Sequence, residues 1–81
     1  MKVYVVNLIE DDEFLLIGVF ADEEKIKPAV LDYCATQKLE VWFFDGITEK
    51  LKTLPNGHNG HCITVQCVPM DCYVRIEVTT L

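Results

Sequence analysis

Cys34, Cys62, Cys67 and Cys72, with His58 and His61, are the side chains of this 81-residue chain with most chemistry to offer. Together they invite a metal reading. Their spacing works against it. Cys62 and Cys67 fall on one stretch that reads as a strand, about 16 Å apart at about 3.3 Å per residue. Zinc holds its ligands about 2.0–2.3 Å away, so these two thiols cannot share an ion. What remains is His58, His61 and Cys62 beside a glycine-rich loop, a set of at most three ligands. The expectation is no metal and no other cofactor.

Cys67 and Cys72 face each other at the end of a hairpin, within reach of a disulfide. No basic segment precedes an apolar one at the N-terminus, so no secretory signal is expected. The expected setting is cytoplasmic, where thiols stay reduced and behave as small apolar side chains. A cysteine nucleophile needs a neighbouring base and a lowered pKa. Cys62 follows His61 directly, but adjacent strand residues point to opposite faces. The chain has no serine, which removes a Ser–His hydrolase. Gly57-x-x-Gly60 lacks the lysine and helix of a phosphate-binding loop. The chain is therefore not expected to be an enzyme.

Charge is the other candidate. Thirteen acidic residues against seven basic ones leave a formal net charge of −6. The acids cluster as Glu10-Asp11-Asp12-Glu13 and Asp22-Glu23-Glu24. The basic side chains are Arg75 and scattered lysines, whereas a phosphate-binding surface needs Lys and Arg on one face. Direct nucleic-acid binding is not expected. A hydrophobic fraction of 51% excludes a disordered chain. The longest apolar run, Phe14 to Ala21, falls well short of the about 20 residues that a spanning helix needs, so no membrane is expected.

These residues need positioning elements. Lys2 to Ile9 and Phe14 to Phe20 read as two strands, apolar on both alternation sets, joined across the acidic turn as an antiparallel hairpin. Gly18 marks a bulge or a close contact. Asp22 reads as the N-cap of a helix over roughly 23 to 36, with Ile26, Val30, Tyr33 and Cys34 on one stripe. Pro28 requires either a separate first turn or a kink. Leu39 to Phe44 reads as a strand. Asp45-Gly46 reads as a hairpin turn, returning through an edge strand over Ile47 to Lys52; a helical turn over 48–52 is the alternative. The last segment reads as a hairpin that pairs Val65 with Val74, Ile63 with Ile76 and His61 with Val78 on one face. Gln66–Tyr73, Thr64–Arg75 and Cys62–Glu77 fall on the other.

The order is ββ-α-ββ-ββ. This is one α+β domain, an antiparallel sheet of five to six strands with one helix. The expected core is Val5, Leu15, Ile17, Val19, Ile26, Val30, Tyr33, Val41, Phe43, Ile63, Val65, Val74 and Ile76. One helix covers one sheet face, so the other is covered by curling or by a second copy. A homodimer is expected, with Trp42 and Phe44 at its surface.

The run Lys2-Val3-Tyr4-Val5-Val6, then Ile17-Gly18-Val19-Phe20 and Asp22-Glu23-Glu24-Lys25, resembles a group of small uncharacterised phage and bacterial proteins over roughly residues 2–31. They start with the same hairpin followed by a helix. The resemblance implies a phage or prophage setting with no assigned activity. The expected function is binding and inhibition of a basic host protein or nucleoprotein complex, of the anti-defence or anti-CRISPR type. The expected contacts are Glu10, Asp11, Asp12, Glu13, Asp22, Glu23, Glu24, Trp42 and Phe44. The alternatives are a dimeric protein that sequesters a small nucleotide, using Arg75, the lysines and the 55–61 loop, and an interaction module of another role.

Overall fold

The strongest local signal, the C-terminal hairpin, organises the sheet. A computed structural model describes residues 1–55, 61–68 and 71–80. Strands β1 (Lys2–Glu10), β2 (Glu13–Phe20), β3 (Glu40–Val41), β4 (Cys62–Val68) and β5 (Cys72–Thr80) form one antiparallel sheet in the order β2-β1-β5-β4-β3. The register of β4 on β5 is the expected one, with Val65 opposite Val74, Ile63 opposite Ile76 and Cys62 opposite Glu77. The amide of Val78 donates to the carbonyl of His61 at 2.9 Å and closes the far end.

β1 lies inside the sheet, between β2 and β5. Tyr4, Val6 and Leu8 pair with Val78, Ile76 and Val74 on the face that the helices cover. All six are buried. Val3 and Ile9 are also buried, on the opposite face. Both alternation sets of β1 thus carry buried apolar residues, Tyr4, Val6 and Leu8 on one and Val3 and Ile9 on the other.

Asp22 caps a 3-10 turn, Glu23–Lys25, and its carboxylate accepts from the amide of Glu24 at 3.0 Å. Helix α1 (Ile26–Thr36) follows, burying Ile26, Val30 and Cys34. Pro28 sits in its first turn, where no intrahelical partner awaits the missing N–H. The separate first turn is therefore the arrangement adopted.

Three expectations are corrected. The return strand over 47–52 does not form. Ile47–Thr53 is a second helix, α2. Ile47 and Leu51, four residues apart, bury on one stripe while Lys50 and Lys52 stay exposed. Gly46 is left-handed, φ 79°, and serves as the N-cap of α2 instead of turning a hairpin. The expected strand over 39–44 shrinks to Glu40–Val41, with one further bond from the Trp42 amide to the Gln66 carbonyl at 3.0 Å. Among the described residues the sheet accordingly has five strands, and two α-helices cover one face.

The core expectation also changes in β2. Leu15, Leu16 and Val19 are 37%, 60% and 54% exposed, and Val5 is half-buried. A bulge explains the difference. The register passes from Val6–Gly18 to Asn7–Leu16, which leaves Ile17 as the extra residue. Alternation is broken there, so Leu15 and Val19 do not share a face. A Cβ on Gly18 would lie 2.8 Å from the Phe20 ring, so this glycine makes room for an aromatic. Ile17, Tyr33, Val41, Phe43 and Ile63 pack against the core partly buried. The remaining core residues expected from the sequence, Ile26, Val30, Val65, Val74 and Ile76, are buried.

Candidate functional site

The two acidic segments sit at opposite ends of β2, about 23 Å apart at about 3.3 Å per residue. Their local structures differ. Asp11 and Asp12 form the two-residue turn between β1 and β2, with Asp11 left-handed at φ 53°, a conformation Asp tolerates. Glu10 and Glu13 face each other across the strand pair. Like charges placed so cost a few tenths of a kcal/mol to about 1 kcal/mol. All four side chains are exposed. Among the described residues no ion pair holds any of them. Glu10 also pairs in register with Cys72, which brings exposed Asp71 to the same end. Asp71 was absent from the residues expected from the sequence, although the hairpin register places the start of β5 beside the end of β1.

The second segment is tied into the fold. Asp22 is the cap of the 3-10 turn. The Tyr4 hydroxyl, at the buried end of β1, lies 2.9 Å from both Glu23 Oε1 and the Leu51 carbonyl and shares its proton between them. A hydrogen bond from its own backbone amide, then the one from Tyr4, hold the Glu23 carboxyl below the usual carboxylate range, helped by Lys2 and Lys52. Burial, then Glu23, push the Tyr4 phenol well above its usual value. Lys2 Nζ lies 3.2 Å from the Leu51 carbonyl and 3.3 Å from that of Lys52, where a cation suits the C-terminal end of α2. Glu24 meets Lys52 at 3.6 Å, an exposed pair that contributes little to stability.

Trp42 and Phe44 are both exposed, at 62% and 47%, but they do not form one patch. Val41 packs inward, so alternation puts Trp42 on the open side of the sheet, at its β3 edge. Phe44 lines a cleft of about 470 Å³ on the helical side, with Pro28 and Leu31 of α1 and the start of α2. Glu24, Asp45 and Glu49 outnumber Lys27 there, a sign that repels phosphates. Lys27 also stands 5.6 Å over the Phe43 ring.

The thiols behave as core. None of the four cysteines is in a disulfide; Cys34, Cys67 and Cys72 are buried and Cys62 is exposed. Burial, then the neighbouring thiols Cys34 and Cys72, push Cys67 up to about 12. Burial also raises Cys34 and Cys72. A thiol held protonated is a poor nucleophile. Among the described residues no three of His, Cys, Asp and Glu come together to hold a metal ion. His58 lies outside the described residues, as does most of the loop from 55 to 61. Arg75 is engaged by Glu77 at 2.8 Å on the open face. No helix among the described residues is long and apolar enough to cross a membrane.

β2 itself is the region that sequence reasoning placed wrongly. It is an edge strand, flanked only by β1. It carries Phe14, Leu15, Leu16 and Val19 exposed, while its neighbour β1 is largely buried. Comparison of the chain with protein families, curated proteins and solved structures finds no match.

Proposed function

We propose that the protein is a non-catalytic, stoichiometric binder of a basic host protein or nucleoprotein complex, an inhibitor of the anti-defence type; its resemblance to small phage proteins supports only the phage setting of that reading. One observation carries the reading: an exposed apolar strand, Phe14 to Val19, that begins at the uncompensated acidic turn Glu10–Glu13. Exposed apolar side chains next to a strong charge form a surface for a protein partner. The charge steers a basic partner and sets the on-rate, while the apolar strand supplies contact area. Three of the four thiols, Cys34, Cys67 and Cys72, are buried and held protonated, which favours a binding role over nucleophilic catalysis at those residues.

The nucleotide-sequestering reading has less support. The cleft has the wrong sign for phosphate, and Arg75 is already engaged by Glu77. The expected homodimer is the competing use of the apolar surface. Light scattering at high concentration decides it: a mass near the 9.3 kDa of one chain leaves the surface to another partner.

The test is capture from host lysate, identification by mass, and reconstitution with the purified partner. Expected is a one-to-one complex that weakens as salt rises, and inhibition that saturates at one equivalent. Turnover of a substrate at substoichiometric dose would overturn the reading, as would a second copy of this chain as the sole partner.

A further inference from the structure

The sheet has two edges, and they are not alike. β3 ends one side with two strand residues, Glu40 and Val41. A short edge with an exposed acid offers little to pair with. β2 ends the other side with eight residues, and Phe14 to Phe20 contains neither a charge nor a proline. An edge strand leaves alternate N–H and C=O groups without a partner strand. Long and apolar, β2 is a template for strand addition, which the bulge at Ile17 divides into two regular stretches.

Charge names the occupant. Glu10, Asp11, Asp12 and Glu13, with Asp71 beside them, make one end of β2 strongly negative, and among the described residues no ion pair offsets it. At the other end Lys2 and Lys52 already answer Glu23, and Lys52 answers Glu24. A second copy fits poorly. Parallel self-pairing lays the acidic turn on its own copy. Antiparallel self-pairing lays it against Asp22–Glu24, where Lys2 and Lys52 are already engaged and exposed Lys25 is a single cation facing four acids. We infer that β2 receives an extended strand of a partner protein by main-chain pairing, with the partner's Lys- or Arg-rich end against the Glu10–Glu13 turn and an apolar stretch along Phe14–Val19. This rests on the protein-binding reading above and adds the mode of binding to it.

The probe is a synthetic nine-residue peptide, blocked at both termini, with a Lys-Arg pair at one end and alternating valine and threonine through the rest. Two further forms carry N-methyl groups on one or the other alternate set of amides. Binding is read by fluorescence anisotropy and mapped by amide chemical shifts. Expected are shifts confined to β2 and the 10–13 turn, and at least tenfold weaker binding for one methylated form but not the other. At least tenfold loss is also expected for Leu16→Lys and Val19→Lys. Both side chains are exposed, so both variants keep the fold, checked by circular dichroism.

Equal binding of the two methylated forms overturns the inference and reduces the interaction to charge attraction, leaving the broader reading intact. Shifts centred on the Phe44 cleft overturn it in the same way. Absence of binding at low salt overturns it too, while the capture experiment judges the broader reading separately. Concentration-dependent protection of β2 without peptide overturns it in favour of a second copy.

Discussion

The two acidic segments look alike in the sequence and behave differently in the fold. Asp22, Glu23 and Glu24 open a helix, take the Tyr4 hydroxyl and meet Lys52. Their charges are part of how β1, α1 and α2 are fastened together. Among the described residues no ion pair holds Glu10 to Glu13. They crown a two-residue turn, with Glu10 opposite Glu13, and Asp71 adds to the same end. A charge that serves the fold is compensated by it; a charge left uncompensated is available to a partner. The 10–13 turn is therefore the half of the pair to which we assign the partner contact in the proposed function.

The largest expected effect tests the anchoring side. Leu51 is buried, and its carbonyl receives both Tyr4 and Lys2. Leu51→Ala should cost about 2–5 kcal/mol by denaturant unfolding, because it empties the stripe on which α2 packs. An unchanged midpoint would mean that α2 does not hold the second segment in place.

Tyr4→Phe is next. It removes the hydroxyl from Glu23 and Leu51 while keeping the ring, and should cost about 1–3 kcal/mol. It should also change the acid limb of stability. Glu23 is held below its unfolded value, so its contribution is present above that value and disappears as pH falls through the lower folded one. The wild type should lose this contribution on acidification, and the variant should show a shallower acid limb. On the alkaline side the signs reverse. The Cys67 thiol is raised from 9.0 to about 12. Its contribution is complete below pH 9.0 and should be lost as pH rises toward 12. Unfolding midpoints measured between neutral pH and pH 11 follow this loss.

Asp22→Ala should cost about 0.5–2 kcal/mol, the usual loss of a capping side chain. The smallest effect belongs to the other segment. Reversing Asp11, Asp12 and Glu13 to Lys should leave the stability within about 1 kcal/mol, a small cost at left-handed position 11 included. It relieves the Glu10–Glu13 opposition and breaks no hydrogen bond among the described residues.

Much of this was legible in the residues. The C-terminal hairpin could be read to the residue because its alternation separates apolar from polar cleanly, and a slip of one would invert every side chain. The helix over 26–36 and the 3-10 turn that Asp22 caps ahead of it carried ordinary signals. β1 and β2 could not be told apart, since both are apolar on both sets. Their difference lies in the sheet order, which places β1 inside and β2 at an edge. The bulge at Ile17 then broke the alternation that had put Leu15 and Val19 in the core. α2 entered the sequence reading only as the alternative, a helical turn over 48–52, because Asp45-Gly46 serves a hairpin or a helix start equally well. The signal that could have found it was Ile47 and Leu51 at helical spacing. The acidic site was visible as composition, but its division into a structural and a free half depends on Tyr4 and Lys52, which approach from distant parts of the chain.

The most direct measurement of the central claim is the salt dependence of the association rate with the captured partner. It compares the wild type, the Asp11→Lys, Asp12→Lys, Glu13→Lys variant and a surface control, Glu49→Gln. The account predicts a steep fall of rate with salt for the wild type and the control. For the triple variant it predicts a rate at least tenfold lower at low salt, with a nearly flat profile. An equally fast and equally salt-sensitive triple variant would contradict the account and make the acidic turn a solubilising feature.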